Sequence, residues 1–290
     1  MLISIIIPSF QVGCCIDNAL RSLQSQSFRD FEIIIVDANS TDDTISIINN
    51  YRKLPIVLLQ ETDSGVYDAM NKGINLAQGE WLYFMGGDDE LCNDIFSTIS
   101  TELINSSYDM IYGNVIMKSN NSIYNGEFNL ERLLCESNIC HQAIFYKKSV
   151  FKILGLYNLN YRIWGDWDFN IRLFKHPDLT SKYVKLNIAI YNDESGLSSV
   201  VDSVFLNELP VKYINQIKKI QVDYAILHER FANLELRKLD LELENEKLKL
   251  KKLALEFDKE TILNSEDFIL GKKLIVLMNK YKLSRFFRNL

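Results

Sequence analysis

Residues 79–89 read Gly-Glu-Trp-Leu-Tyr-Phe-Met-Gly-Gly-Asp-Asp, a short apolar run followed by two glycines and two acids. The run Gly79–Phe84 predicts a buried strand, and the two glycines after it let the backbone turn sharply. Asp88 and Asp89 then lie at the carboxyl end of that strand, where open α/β sheets bind their ligands. Adjacent carboxylates repel each other unless they share a cation, so the pair indicates a divalent metal that also holds phosphate oxygens. A solvated acidic turn is the alternative for the pair taken alone.

The chain before this stretch alternates short apolar runs with amphipathic segments. Leu2–Ile7, Phe31–Val36 and Ile56–Leu59 predict buried strands, and apolar residues at helical spacing lie between them. Strands and helices that alternate at this pace predict an α/β fold, in which a mostly parallel sheet is flanked by crossover helices. No Gly-x-Gly-x-x-Gly motif follows the first strand, which argues against a dinucleotide-dependent dehydrogenase.

Acidic residues end several of these predicted strands. Asp37 follows the second strand, Asp63 follows the third, and Asp88 follows the strand at Gly79–Phe84. Because the carboxyl ends of parallel strands meet at one edge of a sheet, we expect these side chains to converge there. Each of them alone is more often a helix cap or a turn residue.

The overall composition argues against several classes of protein. A net charge of -6 does not suit bulk nucleic-acid binding, which needs a positive surface. The five cysteines are odd in number and have no metal-ligand spacing, so we expect free or buried thiols in a reducing compartment. The N-terminal run Leu2–Ile7 is too short to span a bilayer and lacks a basic flank, which favours a strand over a signal peptide. We expect a cytoplasmic protein, peripheral to a membrane at most.

Five segments carry a resemblance to a known family: Ser4–Phe10 (SIIIPSF), Val36–Thr44 (VDANSTDDT), Asp63–Gly73 (DSGVYDAMNKG), Gly79–Asp89 (GEWLYFMGGDD) and Gly165–Arg172 (GDWDFNIR). In this order they resemble the family 2 glycosyltransferases with the GT-A fold, in particular those that build bacterial O-antigen and exopolysaccharide repeat units. The resemblance covers about the first two-thirds of the chain. Each segment alone is a weak signal, whereas the combined order is highly specific.

The resemblance implies a metal-dependent, inverting enzyme that takes a sugar from a nucleotide-sugar donor, most typically a UDP-sugar. It implies that Asp88, with Asp89, binds Mn²⁺ or Mg²⁺ on the donor diphosphate. The residues that it brings to the donor are Pro8, Ser9, Asp37, Asp63, Gly65, Tyr67 and Asp88. The acceptor that it implies is a saccharide, or an intermediate linked to undecaprenyl diphosphate.

A second stretch, Ile163–Phe169 (IWGDWDF), concentrates aromatic side chains beside two acids. Aromatic faces suit the C–H bonds of a sugar ring and carboxylates accept from its hydroxyls, so Trp164 and Trp167 are candidates for acceptor binding. By resemblance, Asp166 is the catalytic base and His141 lies near the acceptor. The structural alternatives are that Asp166 caps a helix and that Trp167 and His141 pack in the core.

The sequence departs from the family pattern at two glycines. Gly86 stands where the family's metal motif often has its first carboxylate, which leaves Asp88 and Asp89 as ligands. Gly165 stands where many relatives have a Glu, which leaves Asp166 as the candidate for the base. The rival interpretations are a non-catalytic scaffold and a nucleotidyltransferase, although no Gly-rich basic loop that would hold a triphosphate follows the first strand.

The C-terminal third differs in composition, and we divide the chain into a glycosyltransferase domain, residues 1–205, and a helical extension, residues 206–290. Leu234–Phe257 is rich in strong helix formers and carries two opposite apolar stripes. This pattern predicts a helix that pairs as an imperfect coiled coil or lies between the body and a partner, and a homo-oligomer is our leading hypothesis. Gly271–Leu290 has six basic residues and no acid. A peripheral membrane contact and an ordinary docking helix suit that segment equally.

Overall fold

The structure is a computed structural model that describes residues 1–193, residues 201–214 and the isolated residues 244, 245, 248, 249 and 252. The chain divides into two compact units, residues 1–221 and 222–290, and the strands and helices given below belong to the first. The five isolated residues belong to the second unit and have helical backbone.

Nine strands form one sheet in the described part of the chain. They are β1 (Ile3–Ser9), β2 (Phe31–Asp37), β3 (Ile56–Gln60), β4 (Trp81–Phe84), β5 (Glu90–Leu91), β6 (Met110–Met117), β7 (Ile123–Tyr124), β8 (Ile144–Lys147) and β9 (Ser181–Tyr191). Along the sheet they follow the order β3-β2-β1-β4-β8-β6-β9-β5, and β7 pairs with β6.

Helices connect most of these strands and cover both faces of the sheet. They are α1 (Ile16–Gln24), α2 (Thr44–Ile48), α3 (Val66–Leu76), α4 (Ile95–Leu103), α5 (Leu130–Cys135), α6 (Lys148–Leu154), α7 (Gly165–Lys175) and α8 (Ser203–Leu209). A 3-10 turn at His141–Ala143 leads into β8, and a turn of π helix at Pro210–Ile214 follows α8.

The sheet is parallel in its N-terminal half and mixed beyond it. β3, β2, β1 and β4 run parallel to one another, as their apolar patterns predict. β8 then joins β4 in the antiparallel sense, and β6 pairs antiparallel with β8. β9 runs parallel to β6, and the short β5 runs antiparallel to β9. The predicted α/β fold of GT-A type is confirmed, with a sheet that is mixed in its second half.

The core lies on both faces of this sheet, as successive residues of β1 show. Ile3, Ile5 and Ile7 are fully buried on one face, against a layer that includes α1 and α4. Ile6 is fully buried on the opposite face, against α3. Burial of each such side chain contributes roughly 1.5–3 kcal/mol of hydrophobic stabilisation. Burial on both faces also explains why the parallel strands read as continuous apolar runs.

The chain beyond residue 201 returns to this core. Phe205, Leu209 and Tyr213 are buried together with residues of α3, α5 and α7. The domain boundary predicted from the sequence, between residues 205 and 206, therefore lies within α8. The helical extension predicted for residues 206–290 stays a prediction.

Two segments that were predicted from the sequence lie largely or wholly outside the residues that the structure describes. Most of the predicted helix Leu234–Phe257 and all of the basic segment Gly271–Leu290 lie outside the described residues. Within the part that the structure does describe, no helix is long and apolar enough to cross a membrane. All five cysteines have described positions, and no disulfide bond links them.

Candidate active site

A cavity of about 1170 Å³ opens at the carboxyl ends of the parallel strands. Its walls come from the chain after β1, β3 and β4, from the segment before β8, and from the start of α7. The predicted site residues that line it are Pro8, Ser9, Asp63, Gly65, Tyr67, Asp88, Asp89, His141, Trp164, Asp166 and Trp167. The volume is larger than that of an ordinary site for one small ligand, so it has room for a donor and an acceptor together.

Asp37 is the one predicted site residue that does not line the cavity. It ends β2, is fully buried, and accepts hydrogen bonds from the Ser9 hydroxyl at 3.0 Å and the Ser40 hydroxyl at 2.6 Å. The Ser40 backbone N–H also donates to it at 2.7 Å. Asp37 therefore holds the loop after β1 against the loop after β2. Its connection to the cavity is its hydrogen bond with Ser9, which does line the cavity.

The tandem acids have different surroundings. Asp88 is half-buried and lines the cavity, and its Oδ2 accepts from the side-chain amide of Asn192 at 3.0 Å. Asp89 is 1% exposed. Its oxygens accept from the Gly86 N–H at 3.0 Å, the Gln142 side chain at 2.7 Å and the Asn192 N–H at 2.9 Å. Burial, together with the charge of Asp88, raises the pKa of Asp89, and the hydrogen bonds from Asn192 and Gln142 act in the opposite direction.

These contacts differ between the two predicted metal ligands. Asp89 already accepts three hydrogen bonds inside the protein, whereas Asp88 faces the cavity with one. A Cβ atom at Gly86 would lie 2.6 Å from Asp89 Oδ2 and 2.8 Å from Asp88 Oδ1, so a side chain at this position would displace the two carboxylate groups. No group of three or more His, Cys, Asp or Glu side chains suited to a metal occurs among the described residues. The donor set fits a cation that takes one carboxylate from the protein and its other ligands from phosphate and water, as Mg²⁺ commonly does.

The loop after β3 forms another wall. Asp63 is half-buried in the cavity and accepts from the Gly65 N–H at 3.0 Å. Burial is the largest cause of the raised pKa of Asp63. Gly65 has a φ of 134°, which a side chain rarely allows, and it is the N-cap of α3. Lys72 of α3 pairs with Glu61 at 2.7 Å and lies outside the cavity lining.

Asp166 lies in the first turn of α7, where the helix dipole favours a negative charge. It does not cap the helix, because the N-cap is Trp164. Its Oδ1 accepts from the Tyr67 hydroxyl at 2.7 Å and its Oδ2 accepts from the Asn138 side chain at 2.9 Å. His141 Nδ1 lies 3.7 Å from Oδ2. The carboxylate is thus held on both oxygens at the wall of the cavity.

The two tryptophans form an aromatic wall beside Asp166. Trp164 and Trp167 have ring centroids 5.3 Å apart, and Phe205 of α8 packs against both. The Trp167 indole N–H donates to the Leu133 carbonyl oxygen at 2.7 Å. Both tryptophans are half-buried, so each one packs in the core and also presents surface to the cavity.

A family model for Glycosyl transferase family 2 matches residues 4–152, which is just over half of the chain. The chain belongs to this family. The match includes β1 to β8 and the tandem acids, while α7 with Asp166 lies beyond it.

Relatives that are similar in sequence to this chain are named as glycosyltransferases, in agreement with the family. A PGL/p-HBAD biosynthesis glycosyltransferase of Mycobacterium bovis is 44% identical over 216 residues, 72% of this chain and 84% of the relative. A GalNAc(5)-diNAcBac-PP-undecaprenol beta-1,3-glucosyltransferase of Campylobacter jejuni is 32% identical over 160 residues, 52% of this chain and 51% of the relative. The family 2 chain described here is accordingly a glycosyltransferase.

Solved structures share the fold at low sequence identity. S. aureus TarS 1-349 in complex with UDP-GlcNAc has a TM-score of 0.59 at 18% identity, covering 69% of this chain and 62% of that one. The mannosyltransferase PcManGT of Pyrobaculum calidifontis, in complex with GDP-Man and Mn²⁺, has a TM-score of 0.52 at 16% identity, covering 65% and 56%. This family 2 chain spans less than two-thirds of the length of either protein, and the likeness shows the GT-A fold alone.

Several residues of this glycosyltransferase site were not singled out from the sequence. Asn138 contacts Asp166, Gln142 contacts Asp89, and Asn192 contacts both tandem acids. Gln142 directly follows the predicted residue His141, so its position in the sequence was a usable signal. Asn138 and Asn192 are ordinary polar residues in loops, and only the fold brings them to the carboxylates.

Proposed function

We propose that this glycosyltransferase moves a sugar from a nucleotide-sugar, most typically a UDP-sugar, to a hydroxyl of a saccharide, with inversion at the anomeric carbon. The observation that carries the proposal is that Asp88 and Asp166 open into one cavity. A carboxylate suited to a divalent cation and a carboxylate suited to proton abstraction then face the same bound substrates.

The donor side of the cavity consists of the loops after β1, β3 and β4. Pro8, Ser9, Asp63 and Gly65 line it with backbone and side-chain polar groups that can hold a nucleoside and a diphosphate. The TarS complex with UDP-GlcNAc supports a UDP-sugar, since it shares this fold. Tyr67 also lines this region, although its hydroxyl is directed at Asp166.

Asp88 is the residue that would hold a divalent cation, Mn²⁺ or Mg²⁺, on the donor diphosphate. When bound there, the cation supplies positive charge that stabilises the departing nucleoside diphosphate. The PcManGT complex with Mn²⁺ supports this choice of cofactor. Asp89 contributes by fixing the turn that presents Asp88, through its bonds to Gly86 and Asn192.

Asp166 acts as the general base. Its carboxylate takes the proton of the acceptor hydroxyl while the acceptor oxygen attacks the anomeric carbon and the bond to the diphosphate breaks. One displacement inverts the configuration, so an α-linked donor gives a β-linked product. His141, Trp164 and Trp167 line the acceptor side, where the two indole rings offer an apolar face to a sugar ring.

The acceptor class that we propose is a lipid-linked saccharide, such as one on undecaprenyl diphosphate, in bacterial surface polysaccharide synthesis. The name of the Campylobacter jejuni relative supports it. Such an acceptor would place the enzyme on the cytoplasmic face of a membrane as a peripheral protein, consistent with the basic composition of residues 271–290.

The test measures UDP release from UDP-glucose, UDP-galactose and UDP-GlcNAc by the full chain with Mn²⁺ and a saccharide linked to undecaprenyl diphosphate as the acceptor. Asp166→Asn should lower turnover roughly 100-fold or more and leave UDP binding nearly unchanged. Asp178→Asn is the matched control, because Asp178 is an exposed acid outside the cavity. Near-normal turnover of Asp166→Asn would remove the base from the proposal.

Release of pyrophosphate from a nucleoside triphosphate would favour a nucleotidyltransferase, and no turnover of any donor would favour a scaffold.

A further inference from the structure

Tyr67 is a buried side chain whose hydroxyl lies beside the proposed catalytic carboxylate. The residue is 5% exposed, and its hydroxyl oxygen lies 2.7 Å from Asp166 Oδ1 and 2.6 Å from the Ile163 carbonyl oxygen. The ring packs against Tyr157, with centroids 5.2 Å apart. Burial and the charge of Asp166 raise the pKa of Tyr67 well above its ordinary value, so the hydroxyl keeps its hydrogen and acts as a donor.

Gly165 provides the space that the tyrosine ring occupies. A Cβ atom at this position would lie 2.9 Å from Cδ2, 3.0 Å from Cε2 and 3.1 Å from Cγ of Tyr67. These are ring atoms next to the backbone of α3, not the free end of a flexible side chain, so they cannot easily move aside. Any side chain at residue 165 would therefore push the tyrosine hydroxyl away from Asp166.

The second oxygen of Asp166 is held by a chain of oriented amides. Asn138 donates to Asp166 Oδ2 at 2.9 Å, and the Asn138 carbonyl oxygen accepts from the Asn170 side chain at 2.8 Å. The Asn170 oxygen in turn accepts from the Tyr146 hydroxyl at 2.6 Å. Each amide can take only one orientation in this chain, so Asn138 must present its N–H to Asp166.

We propose that Tyr67 is a positioning residue for Asp166, and that Gly165 is needed at the start of α7 because it admits the Tyr67 ring. This inference rests on the proposed function, in which Asp166 is the base. Tyr67 fixes Oδ1 while Asn138 fixes Oδ2, so the carboxylate is held in one orientation toward the acceptor.

The position of the Tyr67 hydroxyl suits both protonation states of Asp166. Its single hydrogen has two acceptors, Asp166 Oδ1 and the Ile163 carbonyl oxygen. Before transfer the hydroxyl donates to the ionised carboxylate. When the acceptor's O–H bond has broken and its proton lies on Oδ1, Asp166 donates to the Tyr67 oxygen, and the Tyr67 hydrogen points to Ile163. The tyrosine proton itself is not transferred.

Tyr67→Phe tests the proposal because it removes the hydroxyl and keeps the ring. In the UDP-release assay with Mn²⁺, we expect kcat to fall about 10-fold or more, the effect of losing one hydrogen bond to a charged group. The donor KM and the binding of UDP should stay within about 2-fold. Tyr157→Phe is the matched control, since its buried hydroxyl has no hydrogen-bond partner in the described part of the chain. That control should keep kcat within about 2-fold.

Gly165→Ala provides a second, independent test through a double-mutant cycle. The alanine should lower kcat by displacing the Tyr67 hydroxyl, and it should cost little more in a chain that already carries Tyr67→Phe. Additive losses would contradict the proposed link between the two residues. If thermal melting shows that Gly165→Ala does not fold, the comparison of kcat between Tyr67→Phe and Tyr157→Phe alone tests the positioning role of Tyr67.

The outcomes separate this inference from the proposed function. Should Asp166→Asn be inactive while Tyr67→Phe matches Tyr157→Phe in kcat, Tyr67 does not position the base and only the present inference fails. The positioning role is equally excluded if Tyr67→Phe changes the donor KM alone. Should Asp166→Asn retain near-normal turnover, the proposed function fails first, and the inference fails with it.

Discussion

The side-chain amide of Gln142 donates a 2.7 Å hydrogen bond to Oδ2 of Asp89, which ties the segment before β8 to the turn after β4. This bond joins the two parts of the sheet that meet in the antiparallel sense, next to the cavity. Asp89 therefore holds two segments of the cavity wall together, whereas its neighbour Asp88 is half-buried there and accepts one hydrogen bond.

Asp89→Asn should destabilise the fold. The substituted amide has one oxygen, so at least one of the three present donors would face an N–H₂ group instead of an acceptor. A buried donor left without a partner costs about 1–3 kcal/mol, and we expect the Tm to fall by several degrees. Differential scanning calorimetry checks this, with Asp88→Asn as the comparison. Equal melting temperatures for wild type and Asp89→Asn would contradict the structural role.

Asp88→Asn should weaken the response to metal and leave the fold intact. Asparagine lacks the charge that holds a divalent cation, while its side chain can still accept from Asn192. We expect UDP release to fall by about 100-fold and the Mn²⁺ concentration for half-maximal rate to rise about 10-fold. Glu90→Gln is the control, because Glu90 is the next acid along the chain and lies outside the cavity lining. Unchanged Mn²⁺ dependence in Asp88→Asn would exclude this residue as the ligand.

In the wild type, chelation with EDTA should abolish turnover and added Mn²⁺ should restore it.

Asp37→Ala should weaken donor binding more than it slows the chemical step. Without the carboxylate, Ser9 and Ser40 lose their shared acceptor and the donor-side loops lose their fixed spacing. We expect the KM for the UDP-sugar to rise about 10-fold with a smaller change in kcat. Asp43→Asn, an exposed acid before α2, serves as the control. If kcat falls and the donor KM is constant, Asp37 does not act through the donor loops.

Truncation of the chain before Leu234 should reduce its mass in solution to that of a monomer. The prediction depends on the two apolar stripes of Leu234–Phe257, which can be buried together only by pairing with another surface. Multi-angle light scattering of the full and truncated chains measures the difference. A truncated chain that keeps the full chain's subunit number would show that the helix does not hold the oligomer.

The basic segment Gly271–Leu290 should bind an anionic bilayer. Its six basic residues are attracted to anionic lipid, and its aromatic side chains can insert at the headgroup level. In a flotation assay, the full chain should rise with phosphatidylglycerol vesicles and not with phosphatidylcholine vesicles. Deletion of residues 271–290 should abolish flotation, and flotation that survives the deletion assigns the contact to another surface.

The amino-acid sequence was sufficient to predict the fold class, and all but one of the candidate site residues that it indicated line one cavity. Buried parallel strands must be apolar on both faces, so the runs at β1, β2 and β4 were visible as such, and the acids that end strands had to meet at one edge. The family motifs then indicated Asp88 and Asp166, which do line the same cavity.

The role of each carboxylate in the cavity depends on the tertiary structure. Asp88 and Asp89 are adjacent in sequence and chemically identical, and both line the cavity. Asp88 is half-buried and accepts one hydrogen bond, whereas Asp89 is almost fully buried and accepts bonds from Gly86, Gln142 and Asn192. The contact between Tyr67 and Asp166 joins residues that are 99 positions apart, and the space at Gly165 has meaning only once α3 lies against α7. Apolar patterning dictates where strands and helices form, whereas the partners of a polar side chain depend on distant segments that only folding brings together.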